Sequence, residues 1–200
     1  MRRRMVRNYS PEPIDEAIVE RILDNATHAP SAGFSQGWAF LVLEDEADRK
    51  RFWRSTTPDG EIADNWLTGM QQAPLIIVAL SSKQAYLDRY AEPDKGWTDR
   101  DESRWPVPYW HIDVGMATLL MLLTVTDEGL GACYFGIPPE RLSAFRLDFG
   151  VPETYEPIGA MTIGHRLEDT PSPSLKRGRR TAYEVVHRGN WRHRSESETA

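Results

Sequence analysis

Four arginines stand among the first seven residues, Arg2, Arg3, Arg4 and Arg7, and no acid precedes Glu12. A second cationic run, Lys176-Arg177-Gly178-Arg179-Arg180, lies near the other end. Arginine suits phosphate because its planar fork donates two parallel charge-assisted hydrogen bonds. Each is worth roughly 1.5–3 kcal/mol. Cationic ends on an acidic chain call for one shared anion, and a cofactor phosphate would satisfy both. The plainer alternative is a solvated, arginine-rich tail.

The charge is unevenly placed. The 200 residues carry a formal charge of −6. Residues 1–10 contribute +4 and residues 176–194 contribute +6, which leaves −16 for the rest. A nucleic-acid binder would more often be basic overall or carry a broad basic face. Short terminal clusters favour a small anion instead. The single cysteine, Cys133, excludes an internal disulfide and fits a reducing cytoplasm. It lies in an apolar strand and reads as an inert core thiol. His28, His111, His165, His187 and His193 show no metal-ligand spacing. Gly129-Leu130-Gly131 lacks a dinucleotide fingerprint. No Ser-His-Asp arrangement can be argued from the sequence. Asp113 could be a catalytic acid, but an acid in such a helix more often pairs with a cation or caps a loop. The first arginines lead into Asn8-Tyr9-Ser10-Pro11 and not into an apolar run, so no signal peptide is expected. The longest apolar stretch, around 116–125, is expected to be too short to span a bilayer.

These groups need elements to hold them. Ile14, Ala17, Ile18, Ile22 and Leu23 have helical spacing, which predicts a helix over 13–27, started by Ser10 or Asp15 and ended by Pro30. Residues 38–43 read as a short buried strand, 44–53 as a polar helix and 62–72 as a helix ended by Pro74. The run 75–80 is apolar and β-branched throughout, as for a strand covered on both faces. Residues 110–128 form the longest helix, apolar almost all round, to be buried on all sides in a core or at a subunit interface. A strand at 132–135, a helix opened by Pro138 and Pro139 and running to 149, and a strand at 158–164 follow. Strands separated by helices around one dominant helix indicate a three-layer α+β domain. Residues 81–108 hold Tyr86, Tyr90, Trp97 and Trp105 among many charges and prolines, without sustained period. Such a segment is either a functional lid or binding loop, or a surface excursion that its aromatics merely anchor. The domain is expected to span 1–191, with 81–109 as lid or insert and 192–200 frayed.

The order of these segments is informative. Arg3-Arg4-Met5-Val6-Arg7 is followed by a helix, then by Ala29-Pro30-Ser31-Ala32-Gly33-Phe34-Ser35-Gln36-Gly37-Trp38 entering a strand. Further on come Asp113-Val114-Gly115-Met116-Ala117, Gly129-Leu130-Gly131-Ala132-Cys133 and Ile163-Gly164-His165. The basic run then precedes Glu184-Val185-Val186-His187. Together they resemble the nitroreductase family of flavin enzymes over nearly the whole chain, segment 81–108 excepted.

The resemblance implies an α/β/α sandwich with a mixed, mainly antiparallel sheet and a homodimer built on the long helix, each dimer holding two FMN sites. It puts Arg3 and Arg4 at the FMN phosphate and ribityl chain. Arg7 falls near the flavin pyrimidine, where reduction builds negative charge at N1 and O2 that a fixed cation stabilises. Arg177, Arg179 and Arg180 match a second phosphate cluster. Pro30 and Ser31 line the cofactor. Tyr134, Phe135 and Gly136 fall where the chain crosses the isoalloxazine, with the Gly136 backbone N–H facing N5. Met5 stands where many relatives have Ser, Phe34 where many have Asn, and Gly37 where many have Pro. An apolar residue at Phe34 is similar to the branch that fragments flavin to dimethylbenzimidazole. That branch has Asp at the Met5 position and Ser at the Gly136 position, and both are missing here.

The expected activity is therefore hydride transfer from NADH or NADPH through FMN to a nitroaromatic, quinone or enone, in two half-reactions. Trp97, Trp105, Tyr109 and Trp110 could form an aromatic wall for that acceptor. A flavin or deazaflavin carrier with little turnover is the alternative. Arginine-rich arms for nucleic acid are a third reading, which predicts salt-sensitive duplex binding. Neither a nucleic-acid nor a membrane partner is expected.

Overall fold

A computed structural model of the chain describes residues 3–58, 60 and 64–191. The expected tail 192–200, Arg2 and Ile62 lie outside the described residues. The chain forms two compact units, residues 1–168 and 169–200.

The first unit is built on four strands, β1 (Trp38–Leu43), β2 (Leu75–Ser81), β3 (Gly131–Phe135) and β4 (Glu156–Gly164), in the order β1-β2-β4-β3. All named pairs are antiparallel. The parallel element is a bridge from Met5 to Ala132, outside the free edge of β3. Strand β2 is buried throughout. Its alternate residues face opposite layers, Ile76 and Val78 one way, Leu75 and Ile77 the other, as a period of two requires.

Helices α1 (Glu16–Thr27) and α5 (Tyr109–Asp127) cover one face, with Val19, Ile22, Ala117 and Met121 against Ile77, Met161 and Ile163. Helices α2 (Glu46–Thr56) and α6 (Leu142–Phe149), with α3 (Asn65–Gln71), cover the other, through Phe52, Phe145, Leu67 and Met70. Asp15 caps α1 by accepting the Ala17 N–H at 2.8 Å. The three-layer α+β reading holds.

The structure corrects two expectations, on segment 81–108 and on the apolar length of the long helix, and narrows a third. Residues 83–91 form a regular helix, α4 (Lys83–Ala91), capped by Ser82 accepting the Ala85 N–H. Its inward face is carried by Tyr86 and Tyr90, so the apolar signal is weak although the burial is real. Helix α5 is not buried on all sides within the chain. Ile112, Leu119 and Leu123 are exposed, and the i, i+7, i+11 spacing places them in one stripe. At 19 residues and a mean hydropathy of 1.2, α5 also has the length and apolarity of a membrane span. That exceeds the expectation from 116–125, and its packing on α1 and the sheet makes it the core helix of the unit.

The described part of the second unit holds a 3-10 turn, Pro173–Arg177, and a short helix α7 (Ala182–Val185). A capping box between Thr181 and Glu184 starts α7.

Candidate functional site

The N-terminal arginines are held against the edge of β3. Val6 N–H donates to Ala132 O at 2.9 Å, and Val6 itself is buried. Gly131 makes room for it, since a Cβ there would meet the Val6 side chain at 2.9 Å. Tyr9 hydrogen-bonds Val6 O and, at 3.0 Å, Thr162 Oγ1. The Arg7 carbonyl lies against Gly69 of α3, too close for any side chain at that position. The arginine segment is therefore pinned on both sides. It is not a solvated tail.

Within it the side chains divide. Arg4 is exposed, and Arg3 and Arg7 are half-buried. The Arg3 Nη1 atom is buried with no hydrogen-bond partner among the described residues. A buried guanidinium nitrogen left unpaired is costly, and an anion is the group that relieves it. Met5 turns inward, packing against both core clusters, and its Sδ accepts the Tyr134 N–H at 3.5 Å. Met5 thus straps the arginine segment to β3 and presents no polar group to a ligand.

Residues 134–136 end β3 beside this segment. The Tyr134 hydroxyl donates to Ile158 O at 3.1 Å, and its ring lies over Gly159, where no Cβ would fit. Burial pushes the Tyr134 phenol above its ordinary range. The Phe135 ring stacks on Trp53 at 5.7 Å and 6° and meets Trp66 edge-on at 6.2 Å. Its ring is committed to that cluster, so backbone is what this stretch can offer a ligand. A Cβ on Gly136 would meet nothing within 4 Å, which leaves its backbone approachable.

The loop after α1 is locked from beneath. Asp113 of α5 is 2% exposed, and its Oδ2 accepts the Ala32 N–H at 2.7 Å and the Tyr86 hydroxyl at 2.8 Å. Asp113 therefore caps a loop, the plainer of its two readings. Arg89 donates through Nε to Gly33 O at 2.9 Å and through both Nη atoms to Asp94 at 2.7 and 2.8 Å. Ser31 Oγ accepts the Gln36 N–H at 3.1 Å. Gly33 and Gly37 sit where a Cβ would come within 2.5 Å of Tyr90 and Tyr86. Proline, expected at position 37 from the resemblance, would meet the same ring. Burial, reinforced by the Asp113 hydrogen bond, pushes the Tyr86 phenol well above its ordinary range.

The four aromatics named from the sequence do come together. Trp105 lies 5.6 Å from Trp97, 5.8 Å from Tyr109 and 6.1 Å from Trp110 between ring centroids. It also packs on Tyr86 and Tyr90, at 5.9 and 4.5 Å. Segment 81–109 is thus anchored onto the 30–37 loop, and Trp105 and Trp110 line an open groove of about 700 Å³. The sequence marks Tyr86 only as one aromatic of segment 81–108 and Gly33 only as part of the 29–38 motif, and it does not mark Arg89. Their local signal was the Ser82 cap and the Asp in an apolar helix. A cleft of about 720 Å³ between α2 and α3 is lined by Trp53, Arg54, Leu67 and Gln71 and by none of the candidate site residues.

In the second unit Arg177, Arg179 and Arg180 are exposed. Arg180 pairs with Glu184, Nε to Oε1 at 3.6 Å. Among the described residues no group of three or more His, Cys, Asp or Glu could hold a metal ion. Cys133 is buried.

Comparison with known proteins gives one consistent result. The sequence pattern described as "Nitroreductase family" matches residues 1–165. A protein of Archaeoglobus fulgidus named as a candidate NADH dehydrogenase/NAD(P)H nitroreductase is 28% identical over 169 residues, covering 84% of this chain and 83% of its own. A 5,6-dimethylbenzimidazole synthase of Rhodospirillum rubrum is 28% identical over 191 residues, 88% of this chain and 83% of its own. Among solved structures, an FMN-dependent nitroreductase from Clostridium difficile R20291 superposes with a TM-score of 0.66 at 22% identity, covering 94% of this chain and 96% of its own. NfrA1 of B. megaterium gives 0.76 at 18% identity, with 99% and 75% covered.

Proposed function

This chain belongs to the nitroreductase family, and from that premise we propose that it is an FMN-dependent oxidoreductase. Its donor would be NADH or NADPH, and its acceptor a small nitroaromatic, quinone or enone. The observation that carries the reading is Arg3, whose buried Nη1 has no partner among the described residues on a segment bonded to β3. That arrangement fits a phosphate, and the approachable Gly136 backbone fits a flat ring.

When bound, FMN would supply the two-electron chemistry between nicotinamide and acceptor. Everything else falls to the chain. Arg3 and Arg4 hold the phosphate and ribityl chain, with Arg177, Arg179 and Arg180 as the second cationic cluster. Arg180 must then trade its Glu184 contact for the phosphate. Arg7 would hold a fixed positive charge near the flavin pyrimidine. Pro30 and Ser31 border the ring, on a loop that Asp113 and Arg89 keep in place. The Gly136 backbone N–H, left approachable by the missing Cβ, would face the flavin ring. Trp97, Trp105, Tyr109 and Trp110 form the wall that orients the acceptor. No side-chain nucleophile is required, so catalysis rests on position and fixed charge.

We also assign a homodimer. The exposed apolar stripe Ile112, Leu119 and Leu123 runs along α5, where Gly115 leaves open space for a close neighbour. Flavin fragmentation is not favoured despite the 28% identity to the dimethylbenzimidazole synthase. Met5 and Gly136 lack the polar groups expected for it, and Met5 faces the core.

The test is an absorbance spectrum of the purified protein with each nicotinamide. A yellow preparation bleached by NADH or NADPH and recoloured by a quinone supports the enzyme. A yellow protein inert to both supports the carrier reading, and a colourless protein that takes up no FMN overturns both.

A further inference from the structure

The loop that carries Pro30 and Ser31 holds one large side chain that the reading above leaves without a role. Phe34 has φ 56°, between Gly33 at φ 62° and Gln36 at φ 50°. Glycine adopts this left-handed conformation freely. A bulky residue there costs on the order of 1–3 kcal/mol. Burial of the ring could offset that cost, but Phe34 is 73% exposed.

The backbone around it is over-determined. Phe34 N–H donates to Ser31 O at 3.0 Å. Ala32 is bonded to Asp113, Gly33 to Arg89 and Gln36 to Ser31 Oγ. Gly37 O accepts the Ser82 N–H at 2.8 Å. Strained residues persist where their surroundings fix them, and they gather at ligand clamps. The loop is fixed and strained, and what it achieves is an exposed apolar side chain three residues after Ser31, on a backbone bonded to Ser31 O.

We propose that Phe34 is a specificity-determining residue, forming an apolar wall of the acceptor pocket that favours flat, neutral conjugated acceptors such as quinones. This rests on the reading that Pro30 and Ser31 border the flavin. The neutrality follows from Arg89. It is the cation bonded to the loop, and its Nε and Nη donors are already held by Gly33 and Asp94. It has little to offer an anionic acceptor, whereas an exposed phenyl ring offers stacking or edge contact.

Phe34→Gly and Phe34→Asn both tolerate the left-handed backbone, so folding is not in question. On the oxidised, FMN-loaded protein, the Kd of 1,4-naphthoquinone is read from the change in flavin absorbance. Both variants are expected to raise it roughly two- to tenfold. The ratio of naphthoquinone to ferricyanide kcat/KM is expected to fall by a similar factor. The urea midpoint of Phe34→Gly should be no lower than that of the parent. An unchanged naphthoquinone Kd, in protein that binds FMN and is bleached by nicotinamide, overturns the assignment and leaves the flavin reading standing. An unchanged Kd with a shifted monomer–dimer equilibrium overturns it too, and moves the ring to the subunit interface. A parent protein that takes up no FMN overturns both readings.

Discussion

Asp113 and Ala32 are 81 positions apart in sequence and are joined by a hydrogen bond of 2.7 Å from the Ala32 N–H to Asp113 Oδ2. The same oxygen accepts the Tyr86 hydroxyl. One buried carboxylate thus ties the loop after α1, the inward face of α4 and the first turns of α5. Since α5 packs on the sheet, the loop takes its position from the core.

Replacing Asp113 should show this directly. Asp113→Ala strands the Ala32 N–H and the Tyr86 hydroxyl in a dry site and should cost about 2–4 kcal/mol in urea unfolding. Asp113→Asn keeps an oxygen that can accept both bonds and should recover most of that loss. Equal losses in the two variants would show that the charge, rather than the two bonds, is what the site needs.

Tyr86 predicts an alkaline limit. Its ordinary pKa is near 10, and its folded value is raised by burial and by Asp113. The folded chain therefore keeps a proton that the unfolded chain gives up. The stability this group contributes is fully present below about pH 10 and is lost as pH rises above it. The slope is about 1.4 kcal/mol per pH unit for the one proton. Tyr86→Phe should be about 1 kcal/mol less stable at pH 7 for want of the hydrogen bond, yet show a shallower fall between pH 10 and 11. Tyr134, raised by burial, and Lys83, raised by its hydrogen bond to Glu102, contribute to the slope that remains. An identical alkaline slope in Tyr86→Phe would exclude Tyr86 as its source.

What was legible in the sequence is what local pattern controls. Strands β1 and β2 lie within one residue of their expected ends, because a short apolar run bounded by turns has few other uses. Helix α4 was hidden because tyrosines carry its buried face and break the apolar count. The exposed stripe of α5 was hidden for the opposite reason. When every face of a helix is apolar, the sequence cannot mark which face the fold leaves open. The Asp113–Ala32 bond and the unpaired Arg3 nitrogen depend on chain segments brought together by the whole fold. Residue types suggested both, but only the packing of α5 and of the Met5–Ala132 bridge makes them specific.

The α5 stripe predicts its own partner. Leu119→Lys and Leu123→Lys put charge on positions that are 47% and 39% exposed in one chain, so the isolated fold should tolerate them within about 0.5 kcal/mol. In a dimer packed through α5 each would bury an unpaired ammonium. Light scattering at micromolar concentration should show a dimer for the parent and a monomer for the double variant. A monomeric parent would rule the interface out.

Trp105 is the hub of the aromatic cluster, so Trp105→Ala should loosen segment 92–104 first. Limited proteolysis is expected to cut there in the variant and spare it in the parent. If Trp105 also orients the acceptor, the variant's KM for a quinone should rise along with that cleavage. Faster cleavage with unchanged KM and kcat would leave it as an anchor alone.

Arg3 separates binding from stability, because the two should move in opposite directions. In the chain alone its buried Nη1 has no partner among the described residues, so Arg3→Met removes a desolvated charge and fills the space with apolar atoms of similar length. Such exchanges are commonly neutral or stabilising, and the urea midpoint of FMN-free protein should hold or rise. FMN affinity should fall by roughly 1.5–3 kcal/mol, or about 10- to 150-fold, when followed by flavin fluorescence. Arg179→Ala, an exposed cation of the second cluster, should show the affinity loss without any gain in stability. If both variants retain FMN as the parent does, neither cluster holds the phosphate. If Arg3→Met instead loses stability without FMN, the guanidinium has a structural partner within the chain, and its claim on the cofactor falls.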